Sequence, residues 1–298
     1  MIGKIWGLFM DDNLNYTNWL NKSSIETDNV SVSPIWGFYD VLDVDCKPPI
    51  LGDSIPTGSH WCLFHPHVPM KKVGEDGHPK RGSFMPDPPD LPRRMFAGSE
   101  ILFNHNIKIG DLVKRKQTIK SISEKNGKSG KLLFVKLEEE YSVEGKICIT
   151  QLNDIVYREA PKKIENSENL NIGKTLDSKT LDSVSRKEII PDPVMLFKYS
   201  SITFNGHRIH YDLKYSKEIE GYPGLIVHGP LTATLLMQFC ENTLKKQLAE
   251  FKFRAIKPIF DNEKFNLNIF QNNDNGEIEV YATNLKEEIC MSGSAITK

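Results

Sequence analysis

The sequence has no long apolar run, no paired-cysteine motif and no surplus of charge, and each absence removes a class of protein. No stretch approaches the roughly 18 consecutive apolar residues that a membrane-spanning helix needs. The first residues, Met1 to Trp6, run into Asp11-Asp12 before a signal-peptide core can form. The expectation is a cytosolic protein with no membrane partner. Cysteine is limited to Cys46, Cys62, Cys148, Cys240 and Cys290, with no C-x-x-C pair, which argues against a disulfide scaffold or a zinc knuckle. Lys and Arg total 38 against 39 Asp and Glu, a formal charge of −1. A protein whose main task is to neutralise nucleic-acid phosphates carries a positive surplus, so no nucleic-acid partner is expected.

What is present is ordinary globular material: 298 residues, 39% hydrophobic and 26% charged, enough for one large domain or two of usual size. Residues 161–187 are a run of Lys, Glu, Asn, Asp and Ser with isolated Ile and Leu, which reads as a linker between units at 1–160 and 188–298. A stretch dense in Pro, Gly and Asp, from His65 to Pro92, reads as a long ordered loop. Both units end alike. Strand-like runs at Phe96 to Ile109, Leu112 to Ile122, Lys131 to Ser142 and Ile147 to Tyr157 are matched by runs at Phe251 to Phe260, Lys264 to Phe270, Glu277 to Leu285 and Glu288 to Ile296. Alternation such as Ile278-Glu279-Val280-Tyr281-Ala282 marks antiparallel strands with one buried face. The apolar run Leu231 to Cys240, opened by Gly229-Pro230, predicts a buried helix that emerges from Glu241 onward. Its counterpart in the first unit is fainter, at Ser33 to Val41.

The densest chemistry lies at Thr203-Phe204-Asn205-Gly206-His207-Arg208-Ile209-His210-Tyr211-Asp212. A strand-like run from Val194 to Phe204 precedes it. After it comes a short helix over Leu213 to Glu220, with Asp212 as N-cap and Gly221 as the left-handed stop. A second turn, Gly224 to Pro230, feeds the buried helix. Adding water to a double bond conjugated to a thioester needs a proton acceptor, a proton donor, and N–H groups facing the developing enolate oxygen. His210 suits the proton work, its ordinary pKa being about 6.5. The amides of Gly229 and Leu231 at the helix N-terminus suit the electrostatic work. His207, His210 and His228 lack the helical register and the Cys or Glu partners of a metal site, so no metal is expected.

These residues resemble the MaoC-like, or type 2 enoyl-CoA hydratase, family, whose signature D-x-N-P-[LI]-H is followed by an H-G pair opening a central helix. Asn205 falls on the signature Asp, His207 on the Asn, Arg208 on the Pro, His210 on the catalytic His, and Gly229 on the glycine whose amide polarises the thioester carbonyl. The first unit carries His60-Trp61-Cys62-Leu63-Phe64, Gly74 to Gly82 and Leu91 to Gly98. Those segments are similar to the companion domain of the two-domain branch that holds mesaconyl-C4-CoA and itaconyl-CoA hydratases. The resemblance implies an α+β fold of tandem hot-dog units, each an antiparallel sheet wrapped around a helix. It implies one catalytic site in the second unit, and a first unit that shapes the acyl pocket and helps hold CoA. It also implies a short branched dicarboxylic enoyl-CoA as substrate, citramalyl-CoA as product, and no cofactor beyond the CoA of the substrate.

Asparagine at 205 cannot accept a proton. His210 acting through water held by Asn205 is one solution; Asp212 or His207 supplying the missing function are others. Arg208, inside the turn, is the leading candidate for a substrate carboxylate, with His207 and His228 also facing substrate. Arg81, Arg93 and Arg94, around the end of the long loop, are candidates for CoA phosphates or a carboxylate. Each has a plainer reading: Asp212 as a cap only, His228 bonding backbone, the arginines as solvated surface. Two alternatives to the dicarboxylic hydratase stand beside it: a 3-hydroxyacyl-thioester dehydratase of fatty-acid synthesis, and a non-catalytic acyl-CoA-binding module. Exposed sheet edges also invite a homodimer.

Overall fold

In the computed structural model, described for residues 16–82, 84–127, 130–159, 174–176, 185–271 and 277–298, ten antiparallel strands form one sheet. The first five are β1 (Ser23–Asn29), β2 (Arg93–Phe103), β3 (Leu112–Gly127), β4 (Gly130–Val143) and β5 (Lys146–Arg158). The second five are β6 (Ser185–Ile189), β7 (Leu248–Ala255), β8 (Phe265–Gln271), β9 (Ile278–Asn284) and β10 (Ile289–Thr297). Their order is β1-β3-β4-β5-β2-β7-β10-β9-β8-β6. Read outward from the centre, each half repeats the same sequence of strands, so the halves are related as two hot-dog units sharing a continuous sheet. They join where β2 meets β7, Gly98 opposite Arg254 through Leu102 opposite Glu250. Gly98 is required there, because a Cβ would collide with the carbonyl oxygen of Phe253 on the facing strand.

Four helices are seen among the described residues: α1 (Val32–Val41), α2 (Pro193–Thr203), α3 (Leu213–Glu218) and α4 (Gly229–Leu244). Helix α4 is the one predicted from Gly229-Pro230. Leu231 through Met237 and Cys240 are buried, and β7 to β10 wrap it. Helix α1 packs across the junction on α2, close enough that a Cβ at Gly37 would meet Ile202 at 2.8 Å. No helix is long and apolar enough to cross a membrane among the described residues.

Two expectations change. Val194 to Phe204 is a helix, not a strand. Asp192 caps it by accepting from the Met195 amide at 2.7 Å, Pro193 presets the first turn, and Leu196, Tyr199 and Ser200 fall at helical spacing on the buried face. The expected linker 161–187 mostly lies outside the described residues, but its described parts are built into the fold. Strand β6 starts at Ser185 and pairs with β8, while Thr175 bridges Glu288 and Leu176 covers Phe270 and Ile289 on the outer face. Polar side chains suit these pieces because β6 is a sheet edge with one face in water.

Candidate active site

The catalytic turn is anchored at both ends. Helix α2 stops at Phe204, which takes the left-handed conformation (φ 50°), and the Asn205 amide then donates back to the Ser200 carbonyl at 2.8 Å. The Asn205 side-chain oxygen accepts the His207 amide at 3.0 Å, closing an Asx turn. A short 3-10 turn, Arg208–His210, leads into α3, whose N-cap Asp212 accepts the Tyr215 amide at 3.0 Å as anticipated. The second turn runs beside the first, with the Ile226 amide donating to the Ile209 carbonyl at 3.0 Å. This puts His210 next to the start of α4.

His210 is buried, and its Nδ1–H donates to the Ile226 carbonyl at 2.7 Å. A carbonyl only accepts, so the bond fixes the tautomer and leaves the Nε2 lone pair free for a proton. Burial pushes the ring down to about 4, with the Ile226 bond opposing and the charge of His78 reinforcing the shift, so the ring is neutral at physiological pH. His228 stacks on it with ring centres 3.7 Å apart and shares a 2.8 Å hydrogen bond between Nε2 and the Ser200 hydroxyl. Burial also holds His228 neutral, far below its ordinary range. His228 therefore orients His210 through a side-chain partner, not through the backbone bond considered from sequence. Gly229 opens α4, so its amide lies at a helix N-terminus, and a Cβ there would meet nothing within 4 Å.

The long loop from the first half closes over this turn. The Arg208 amide donates to the Asp76 carbonyl at 2.9 Å, and Gly77, at φ 90°, lies so close to Gly206 that a side chain on it would collide with the Gly206 oxygen. His78 rests against His207 with ring centres 4.2 Å apart, and His207 meets His210 edge-on at 5.4 Å. His207 is pushed down to about 2, first by burial and then by the charges of His78 and His210. His207 has a lower proton affinity than His210, which weakens the suggestion that it replaces the missing carboxylate. Asp76 and His78 escaped the sequence reading as chemical groups; only their place in the Gly74 to Gly82 segment was noted.

The arginines divide sharply. Arg208, expected to meet a substrate carboxylate, has its guanidinium engaged: Nε and Nη2 donate to Asp212 at 3.0 and 2.7 Å and Nη1 to the Glu75 carbonyl at 3.0 Å. Its face covers the Tyr215 ring at 4.2 Å. Those bonds make it a latch between the loop and α3. Asp212, likewise, is occupied by its cap and by Arg208, so it is not the missing base. Arg81 pairs with Asp87 at 3.2 Å and donates to the Leu91 carbonyl, and Arg93 pairs with Glu220 at 2.8 Å. Arg94 differs: among the described residues it pairs with no carboxylate, and its charge reaches both His207 and the buried Tyr157 phenol. As for metals, Asp76, His78 and His207 offer ligand atoms within 4.8 Å of one another, the one such trio among the described residues.

Residues 58–261 match the family model for hydroxyacyl-thioester dehydratase type 2. The chain belongs to that family. It is a hydro-lyase of MaoC-like type with a tandem hot-dog fold. Over 261 residues, 88% of this chain and 91% of the relative, it is 36% identical to mesaconyl-C(4)-CoA hydratase of Chloroflexus aurantiacus. Among solved structures, a MaoC-like dehydratase from Phytophthora capsici superposes with a TM-score of 0.66 at 12% identity, covering 93% of this chain and 96% of that one. A Mycobacterium tuberculosis protein described as a double hot-dog superposes at 0.53 and 11%, covering 94% and 98%. At such identities the two structures speak for the fold alone.

Proposed function

We propose that this enzyme reversibly adds water across the carbon–carbon double bond of a short branched dicarboxylic enoyl-CoA, of the mesaconyl-C4-CoA or itaconyl-CoA type, to give citramalyl-CoA. In the mesaconyl ester the C2=C3 bond is conjugated to the thioester. The observation that carries the hydration chemistry is the pairing of His210 Nε2, left free by the Nδ1–H bond to Ile226, with the Gly229 amide that opens α4. A thioester oxygen at that amide gains the helix N-terminal field as it takes up enolate charge, while His210 accepts the proton of the attacking water. Asn205, its oxygen bound to the His207 amide, keeps its NH2 group to hold that water. The dicarboxylic specificity is supported by the similarity to a mesaconyl-C(4)-CoA hydratase across most of both chains, and by Arg94. In this reading Arg94, not Arg208, meets the distal carboxylate, and CoA enters as part of a cytosolic substrate with no separate cofactor.

Purified enzyme mixed in parallel with mesaconyl-C4-CoA and crotonyl-CoA tests this through the ultraviolet absorbance of the conjugated thioester, and with itaconyl-CoA, whose double bond is not conjugated to the thioester, through the citramalyl-CoA formed. Rapid loss with a dicarboxylic ester and slow loss with crotonyl-CoA is expected. Arg94→Met should raise KM for the dicarboxylic ester by about tenfold or more, as lost charged contacts do, and leave crotonyl-CoA little changed. The second reading, a 3-hydroxyacyl-thioester dehydratase of fatty-acid synthesis, is favoured by the family description. It wins if crotonyl-CoA is the better substrate and Arg94→Met affects both esters alike.

A further inference from the structure

Hydration in both directions needs two proton-transfer groups, one at the water and one at C2. His210 supplies one. In the position where the family signature has a carboxylate this chain has Asn205, whose oxygen is tied to the His207 amide and which cannot take or give a proton. Asp212 is fully engaged as a cap and by Arg208, and His207 is wedged between two rings. The nearest remaining ionisable pair comes from the other half of the molecule.

That pair is Asp76 and His78. The carboxylate accepts the His78 amide at 3.0 Å and the His78 Nδ1–H at 3.1 Å, so the ring is held in one tautomer with Nε2 left over. The ring lies on His207, which in turn meets His210 edge-on at 5.4 Å. Its side chain keeps 28% exposure, in contact with solvent yet held against the catalytic turn. The hold is built into the backbone: the Arg208 amide on the Asp76 carbonyl, Arg208 Nη1 on the Glu75 carbonyl, and two glycines, Gly77 and Gly206, where a Cβ on Gly206 would sit 2.6 Å from the Gly77 oxygen. A carboxylate that orients an imidazole for proton transfer is a recurrent chemical unit. We propose that His78, with Asp76 behind it, is the second proton-transfer group of this site, supplied by the first half in place of a carboxylate at position 205. The proposal rests on the hydration reading above.

In hydration of the mesaconyl ester, His210 Nε2 takes a proton from water as the water oxygen bonds to C3. The C2=C3 pair shifts toward the thioester, and the electrons return from the enolate to C2 as His78 delivers its Nε2 proton there. His78 enters this step protonated on both ring nitrogens and keeps Nδ1–H on Asp76. One O–H and one C=C π bond are lost, one C–O and one C–H bond are gained. The proton held by His210 returns to His78 through solvent, so no net charge accumulates. Dehydration runs the same steps backward. Asp76 is a positioning residue, acting through His78.

The experiment uses the full chain with whichever ester the wild type turns over. His78→Gln and His78→Ala should each lower kcat by roughly 100-fold, the lower range for a general acid or base, with KM little changed. Added imidazole should restore much of the His78→Ala loss, since the position is open to solvent. Asp76→Asn should lower kcat about tenfold at unchanged KM, as lost orienting carboxylates do. Near-normal kcat in both His78 variants overturns the proposal. So does a loss that imidazole leaves untouched and that arrives with a lowered melting midpoint, and so does wild-type turnover that disappears with a chelator and returns with zinc, which would make the trio a metal site. A wild type that turns over no ester sinks the hydratase reading itself. An active wild type with indifferent His78 variants sinks only this inference.

Discussion

The two halves have the same strand order and opposite interiors. The second half encloses α4, whose buried residues are Leu, Ala, Met, Cys and two Thr, against strands lined by Phe265, Leu267, Val280 and Ala295. Among the described residues the first half has only the shorter α1, and its sheet face is cut in two by polar groups. Along β4 the inward residues run Leu133, Val135, Leu137, then Glu139, then Tyr141. Glu139 accepts from Asn153 at 2.9 Å and Tyr141 at 3.1 Å. Asn153 in turn accepts from Gln151 at 2.6 Å, and Gln151 meets His60 Nε2 at 2.8 Å. The second repeat is held mainly by apolar burial, with a small buried polar cluster of Asn268 and Thr283 in its sheet. The first is held partly by a longer hydrogen-bond chain whose end, His60 Nδ1, has no partner among the described residues. The consequence is a division of labour. The half with the long helix sets that helix's N-terminus beside His210, and the other half contributes a loop laid over the turn.

The contrast predicts where chemistry and stability separate. His210→Ala should reduce turnover about 1,000-fold, within the range for a general base. His60→Gln, at the equally buried histidine of the first half, should leave turnover close to wild type. Comparable losses from both would mean that the first half takes part in the chemistry through its interior as well as its loop. Initial rates and a melting curve for each variant settle it. Next in size, Leu236→Ala on α4 should cost about 3 kcal/mol, a cavity in a wholly apolar setting. Denaturant unfolding measures it. A cost below about 1 kcal/mol would show that α4 is less tightly wrapped than its burial indicates.

The second half was the legible one because its signals are local. Gly229-Pro230 opening an apolar run, Asp212 capping α3, and period-two strands each need only neighbours in sequence. Helix α2 was misread because Val, Phe, Tyr and Ile carry strand propensity, although Asp192-Pro193 was a sufficient helix start. The site was half legible. The two turns meet, with the Ile226 amide on the Ile209 carbonyl and His228 stacked on His210, but Arg208 is held at the surface by Asp212, four residues along, a pairing any short helix offers. What no pattern could reveal was the meeting of Asp76 and His78 with His207, because it depends on how a long irregular loop folds back across the junction. The first half's polar chain was hidden for another reason. Glu139 sits in Glu138-Glu139-Glu140, which reads as a solvated strand, and only the pleat turns the middle one inward.

Smaller effects sharpen the contrast within the first half. Glu139→Gln keeps the shape but removes the charge beside Arg115, which also pairs with Glu26. The expected cost is about 2 kcal/mol, that of a lost charged hydrogen bond in a buried network. The isosteric change at Glu279, which bonds the Tyr281 hydroxyl at 2.7 Å on the more open face of the second half, should be nearly neutral. Equal costs would remove the claim that buried polar groups matter more in one half.

A further contrast is a pH slope shared by the two halves. His60 and His210 are each pushed down to about 4, chiefly by burial. Unfolded, each takes a proton near pH 6.5; folded, neither does until about pH 4. Between those values the unfolded state binds more protons, so stability falls as pH is lowered and is fully recovered above about pH 6.5. Each ring contributes at most about 1.4 kcal/mol per pH unit in that window. Replacing either by Gln should flatten the acid slope by one proton's worth, and the two reductions should add, since the rings belong to separate hydrogen-bond systems. Unfolding free energies at pH 7, 6 and 5 for the two single variants and the double test this. If the double variant flattens the slope by less than the sum, the interiors of the two halves are coupled across the β2–β7 junction, and the division between an apolar catalytic half and a polar supporting half is too sharp.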